Sequence, residues 1–569
     1  MEERILRVPL QPVSTPRAGY PGFDPHKEIL PKGYKLQECR MALPCEMILE
    51  QDVAIKMRDG VTLYADIYRP TDESVPVPVI LAWGSWGKRG KNLALPEVTR
   101  MANYIPDTDH PTQRTEMIRR DEMSGLNAWG GEDPAQWIPH GYAVVNVDPR
   151  GVYHSEGDMM HFFGTQNGRD AYDTIEYLAA LPWCSGKVGT SGNHWFGIEQ
   201  WFIAQERPPH LAAIHPCEAH GDFYRDEMVR GGIPRLDWGS RTISFGDGDV
   251  EDIVAMSLKH PMMDEYWEDK QVEFEKIDVP VFLTCSFTQW NHSRGPFEAF
   301  ERLGTDKKWM RVHNGMEFID YRLPENIAEV RKFFDRYLKG IENGWEDTPR
   351  VRLSVLDPGG QDILYRPEKQ FPPERVRAEK LYLSADGRLT PDAPEAGSVT
   401  YCADDGKSAA KFTWTFEKDT EITGFSRAHL YLSTDKALDA DVFVRVNKLD
   451  VQGNRLRARY TNFYSGPNGR LRASLRAVDP ARSNEFVQYH TYRERAYFDP
   501  FEVVELDVNI WPTAMVFHAG EQLELEVSGF EIMTAHAGDA LLETCNRGEH
   551  TIYTGGDTAS YLVLPVMPD

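Results

Sequence analysis

Val188-Gly189-Thr190-Ser191-Gly192-Asn193-His194-Trp195-Phe196-Gly197-Ile198-Glu199-Gln200-Trp201 is the stretch from which the fold is read. Its first residues form the end of a buried strand. A tight Gly-Asn turn follows, and a helix begins near Trp195. This strand–elbow–helix pattern holds one side chain out at the turn tip, where chemistry is done. Where such a turn carries serine, this one carries His194.

Outward from the elbow, strands and helices alternate. Tyr142 to Val147 is a continuous apolar strand that ends in Asp148-Pro149-Arg150-Gly151. Tyr172, Ile175, Leu178 and Ala179 recur at helical spacing and predict a helix over about 168–181. Upstream, Val77 to Trp83 is a buried strand running into the Gly84-Ser85-Trp86-Gly87-Lys88 loop. Val53 to Met57 and Val61 to Tyr68 alternate as a hairpin about Asp59-Gly60. Residues 90–135 predict a partly helical excursion over the site. Near-continuous apolar strands alternating with helices imply a parallel sheet covered on both faces.

The expected organisation has five parts. Residues 1–45, with several prolines, read as an irregular N-terminal extension, and 46–216 as the first part of an α/β core. Residues 217–277 are charged, aromatic and Met-rich, which suits a helical cap. The core resumes over 278–348, with strands at Val279 to Ser286 and Trp309 to His313 and a helix from Asn326 to Gly340. From 349 to 569 short alternating runs with turn signals predict an all-β sandwich.

Composition narrows the function classes. The net charge of −25 disfavours nucleic acid and anionic membranes as partners, because phosphate binding needs clustered Lys and Arg. Hydrophobic residues at 41% and aromatics at 11% suffice for packed domains. Met1-Glu2-Glu3-Arg4 leads into no apolar segment, and no run of about 18 apolar residues occurs, so neither a secretory signal nor a membrane span is expected. The seven cysteines are scattered with no CxxC pair, which predicts reduced thiols and a cytoplasmic location. No His, Asp or Glu grouping has metal spacing and no Gly-rich phosphate loop occurs, so no cofactor is expected.

Several motifs together resemble the CocE/NonD (cocaine-esterase-like) family, related to the Xaa-Pro dipeptidyl-peptidases. They are Met57-Arg58-Asp59-Gly60-Val61-Thr62-Leu63, Asp66-Ile67-Tyr68-Arg69-Pro70, Asp148-Pro149-Arg150-Gly151, Ala171-Tyr172-Asp173-Thr174-Ile175-Glu176 and Pro182-Trp183. Asp439-Ala440-Asp441-Val442-Phe443-Val444 and Ile552-Tyr553-Thr554-Gly555-Gly556 extend the match to the end. Trp309-Met310-Arg311-Val312-His313-Asn314 looks like the fungal branch. The resemblance implies an α/β-hydrolase core with a helical cap and a C-terminal jelly roll. It also implies ester or amide hydrolysis by a Ser–Asp–His triad, with a tyrosine hydroxyl in the oxyanion hole.

Carried across by motif, each of those functional positions holds a different residue. The Gly-x-Ser-Tyr-x-Gly elbow is Gly192-Asn193-His194-Trp195-Phe196-Gly197, so His194 stands for the nucleophile. Gln289 falls at the triad aspartate and Glu317 at the triad histidine, or Met316 if the register slips by one. Trp86 replaces the oxyanion tyrosine. Ser191, three residues before the tip, reads as a packed strand serine, and His215 and His220 as core and cap packing.

Three functions follow as expectations. The first is a non-hydrolytic enzyme that cyclises, isomerises or eliminates from a small hydrophobic secondary-metabolite intermediate. His194 and Glu317 form its acid/base dyad, Gln289, Asn291, His292 and His313 supply polar contacts, and Trp86 and Trp195 wall the pocket. The second is a catalytically silent binding protein. The third is a residual hydrolase acting through Ser191 or through water activated by His194. A homodimer is compatible with each.

Overall fold

Eleven strands form the core sheet: β1 (His26–Leu30), β2 (Met47–Lys56), β3 (Thr62–Arg69), β4 (Val77–Trp83), β5 (Ala143–Asp148), β6 (Cys184–Asn193), β7 (Leu211–Cys217), β8 (Val281–Ser286), β9 (Lys308–His313), β10 (Val351–Val355) and β11 (Ile363–Glu368). The computed structural model describes residues 5–15, 20, 22–89, 120–159, 163–236, 245–289, 292–458, 466–531 and 542–568. Most of the predicted 90–135 excursion therefore lies outside the described residues. The sheet order is β11-β10-β9-β8-β7-β6-β4-β5-β3-β2-β1. β5, β4, β6, β7, β8, β9 and β10 run parallel, and antiparallel strands close both ends.

The apolar runs explain this order. β4, β5 and β8 are buried along their whole length, as expected of parallel strands covered on both faces. Helix α1 (Thr165–Ala179) and helix α2 (Trp195–Gln205) pack together against β6. Helix α3 (Gly295–Arg302) follows β8, and helix α4 (Pro324–Leu338) packs on β6 and β7. Phe333 and Phe334 of α4 join Trp137, Phe282, Trp309 and Trp345 in a buried aromatic layer beneath the sheet.

Three expectations change. The first 45 residues are not all irregular, because β1 hydrogen-bonds to β2 as the edge strand of the sheet and Arg7–Pro9 pairs with Asp249–Glu251. The core sheet does not stop before residue 349, since β10 and β11 extend it. Among its described residues the 217–277 segment holds short turns of helix, including Tyr224–Met228, Ile253–Lys259 and Glu265–Glu268, together with that short strand. Polar residues divide the apolar stretches there, and no long helix forms among the described residues.

Beyond β11, two all-antiparallel sheets of seven and five strands form the C-terminal β-domain. Leu356 exchanges backbone hydrogen bonds with Ala514 and Val516 and stitches this domain to the core. Arg230 of the capping segment lies 3.6 Å from the Trp511 ring and donates to the Asn468 carbonyl, joining cap and β-domain.

Candidate active site

β6 ends at Asn193, α2 begins at Trp195, and His194 is the single residue between them. Its backbone sits at φ 60° and ψ −124°, a conformation that costs a non-glycine residue about 1–3 kcal/mol and persists where the surroundings enforce it. They do so here. The His194 N–H donates to the Cys217 carbonyl, and its own carbonyl accepts from Gly197 and Ile198. Gly192 and Gly197 permit the turn: a Cβ on either would come within 2.4 Å of Phe196 Cβ or of the Cys217 carbonyl oxygen. Glu218, immediately after β7, is also left-handed at φ 48°.

An aromatic box surrounds the tip. Trp86 stacks on Trp129 with ring centroids 4.5 Å apart, and lies 5.1 Å from Trp195. Phe318 meets Trp129 edge-on at 4.5 Å and runs parallel to the His194 ring at 6.3 Å. The expected walls Trp86 and Trp195 are thus together, joined by Trp129 and Phe318, which sequence reasoning missed. A signal for Trp129 existed in Gly130-Gly131, since a Cβ on Gly130 would lie 2.7 Å from the Asn193 carbonyl oxygen. The Trp86 indole N–H is buried and makes no hydrogen bond.

His194 does not meet Glu317. The histidine's neighbours are Trp129, Trp195, Phe318 and, at a centroid distance of 4.5 Å, His292. Burial holds its imidazole down at about 3, so the ring is neutral near pH 7. Glu317, the first residue of a helical turn, is buried, and its carboxylate is hydrogen-bonded with Gln289. Burial and the nearby Glu218 hold its carboxyl well above the usual range. The expected dyad is replaced by a neutral imidazole and a separate Glu317–Gln289 pair. The helix places Phe318, rather than Glu317, against the histidine.

The remaining expected contacts divide. His313 Nε2 lies 3.2 Å from Glu218 Oε1 and 3.7 Å from Asp320 Oδ2. Burial pulls its ring down, but Asp320 and Glu218 outweigh that and raise it. It therefore belongs to an ion-pair network that includes Arg311, 2.7 Å from Asp320. The Gln289 carbonyl accepts from Ser293, and Asn291 lies outside the described residues. His292 is fully buried beside His194 and 5.3 Å from His220.

Ser191 is on the same strand but in different company. Its hydroxyl donates to Glu132 Oε1 at 2.6 Å and lies 3.0 Å from His215 Nδ1 and 3.2 Å from the Tyr321 hydroxyl. Tyr321 also donates to Glu132 Oε1, the Trp137 indole donates to Oε2, and Thr284 Oγ1 sits 3.4 Å from His215 Nε2. All these residues are buried, so this is a closed polar knot in the core and not an open nucleophile. Burial pushes Glu132 up and His215 down to about 3.

Among the described residues no group of His, Cys, Asp and Glu is arranged to hold a metal ion. All seven cysteines are free. The chemistry the site offers is aromatic surface, a neutral imidazole and an indole N–H. Neutral donors of this kind stabilise oxygen that gains negative charge, whereas a ring held at about 3 is a poor proton acceptor at neutral pH.

Residues 59–247 match the X-Pro dipeptidyl-peptidase (S15 family), and residues 343–563 match the X-Pro dipeptidyl-peptidase C-terminal non-catalytic domain. The cocaine esterase of a Rhodococcus species is 30% identical across 91% of this chain and 98% of its own. The chain belongs to the CocE/NonD and X-Pro dipeptidyl-peptidase S15 family. A CocE/NonD hydrolase from Staphylococcus aureus superposes with a TM-score of 0.82 at 30% identity, over 92% of this chain and 94% of that one. An aminopeptidase from a marine-sediment Thaumarchaeota archaeon shares the fold at 15% identity, with a TM-score of 0.68 over 95% and 99% of the chains. CocE/NonD relatives are esterases and peptidases, so this chain has a hydrolase scaffold with a C-terminal all-β domain. No described helix is long and apolar enough to cross a membrane.

Proposed function

We propose that this member of the CocE/NonD family is an enzyme that binds a hydrophobic carbonyl compound in the aromatic box. It converts that compound without an acyl-serine intermediate, by ring closure or isomerisation. The observation that carries the proposal is His194 at the strained elbow tip, neutral and with Nδ1 unpartnered, where a nucleophile would stand. The stacked indoles hold the compound in one folded conformation. His194 and the Trp86 N–H donate to its carbonyl as charge builds there. Positioning and a preorganised hydrogen bond are together worth several kcal/mol of barrier. A fungal secondary-metabolite pathway is the setting proposed for such a substrate.

Hydrolysis is the second reading, favoured by the 30% identity to a cocaine esterase. In that case water near His194 attacks the carbonyl directly. One experiment separates the readings. The gene is deleted in its native host, and the accumulating compound is incubated with purified protein in 18O-labelled water. A product of unchanged mass and no label supports ring closure or isomerisation. Product masses that together equal the compound plus one labelled water, with the label in the new carboxyl group, overturn it in favour of hydrolysis. Absence of any accumulating or converted compound overturns both in favour of a silent binding protein.

A further inference from the structure

Behind the elbow tip three imidazoles lie in a row. His194 and His292 have ring centroids 4.5 Å apart with planes at 80°, and His292 and His220 follow at 5.3 Å and 21°. His292 is 0% exposed and His220 1%. His194 Nδ1 and both ring nitrogens of His292 and of His220 are buried without a hydrogen bond. Buried polar atoms are nearly always satisfied, because an unmade hydrogen bond costs about 1–3 kcal/mol. Five such atoms lie side by side here, next to the aromatic box.

We propose that this row binds a 1,3-dicarbonyl, or its enol, whose two oxygens are taken by His194 and His292 while its aromatic or unsaturated remainder fills the box. The perpendicular rings point their nitrogens in different directions, so two oxygens on one small head group can each find a partner. Each neutral imidazole carries one donor and one acceptor nitrogen, which matches a neutral dicarbonyl or an enol and not a carboxylate that arrives fully charged. The charges facing the row agree with a neutral ligand. Asp226 Oδ2 is 4.0 Å from His220 Nδ1 and Glu227 Oε2 is 3.9 Å from Nε2. The other oxygen of each is held by an arginine, Asp226 Oδ1 by Arg294 and Glu227 Oε1 by Arg235, each at 2.6 Å, which offsets the negative charge beside the row. Among the described residues His292 meets no carboxylate, and burial together with the neighbouring His194 and His220 holds it well below its ordinary value. The assignment rests on the proposed role of the box and adds the head group that the box alone does not specify.

Benzoylacetone tests it, with acetophenone as the one-carbonyl comparison and benzoate as the charged one. Binding to the full chain is measured by tryptophan quenching, and the enol content of benzoylacetone by its ultraviolet band. The expected result is benzoylacetone binding at least tenfold tighter than either comparison, with an increased enol band. His292→Phe, which keeps a buried ring, is expected to remove the tenfold preference and the band change while acetophenone binding is unaltered. A second variant, His292→Asn, retains a donor and an acceptor and is expected to keep part of the preference. Equal affinity for benzoylacetone and acetophenone overturns the dicarbonyl assignment and leaves the box standing. Tighter benzoate binding overturns the neutral-ligand argument. Failure of all three probes to bind overturns the box itself, and with it the proposed function.

Discussion

Two polar clusters flank the same stretch of β6, and they differ in one respect. Around Ser191 each group has a partner: Glu132, His215 and Tyr321 all meet its hydroxyl, and Trp137 and Thr284 close the ends. Around His194 the imidazoles lie ring to ring with nitrogens unmatched. Both clusters contain residue types used in catalysis. Satisfaction, rather than residue type, separates a knot that fastens a core from the cluster proposed to take a substrate.

That contrast is most exposed to test at His194. His194→Ala should lower kcat by about 10²–10³, the usual loss for one donor to a developing oxyanion, with thermal unfolding nearly unchanged. Assays on the accumulating compound and a melting curve measure the two effects. An active variant would erase the distinction between the clusters.

Ser191→Ala should do the reverse. It removes the oxygen shared by Glu132, His215 and Tyr321, and should cost about 1–3 kcal/mol of stability while turnover per folded molecule stays within about twofold. A fluorophosphonate should leave wild-type Ser191 unlabelled. Labelling there, or loss of turnover without loss of stability, would make the closed cluster the reactive one.

Acid should act on both clusters. Burial holds His194, His215 and His220 at about 3, against about 6.5 in the unfolded chain. A depressed folded value means that the unfolded state takes up protons first. Stability is therefore fully present above about pH 6.5 and is lost as pH falls toward 3, by about 1.4 kcal/mol per pH unit for each histidine. Urea midpoints at pH 7 and pH 5 measure the slope, and His220→Phe should reduce it by one histidine's share. An unchanged slope would mean that His220 is charged in the fold. The smallest effect is expected from Trp129→Ala, which removes one wall of the box. Loss of a stacked ring, worth about 0.5–1.5 kcal/mol beyond its area, should raise KM about three- to tenfold with kcat less affected.

The elbow was legible because two glycines and a periodic switch from strand to helix occur within one short stretch, and β6, His194 and α2 follow that reading. The nearness of Trp86 to Trp195 was legible by motif. The His194–Glu317 dyad was not, because motif spacing assigns positions along a loop but not the direction of a side chain. One residue of helical phase gives the histidine Phe318 and gives Glu317 to Gln289. The row of imidazoles joins residues in three separate loops, at 194, 220 and 292, and no local pattern connects them. Strand β1 escaped notice for a related reason: His26-Lys27-Glu28 carries polar residues on an exposed edge and lacks apolar alternation.

The pairing of Arg7–Pro9 with Asp249–Glu251 has a consequence for how the molecule is made. The Leu6 N–H is bonded to the Met256 sulfur, 250 residues further along the chain. At about 5–20 residues per second, a ribosome needs roughly ten to fifty seconds to synthesise that interval. Throughout that time the Arg7–Pro9 strand lacks its partner strand. Nascent chains arrested before and after residue 256, probed by brief proteolysis, should show the early segment cut in the first case and protected in the second.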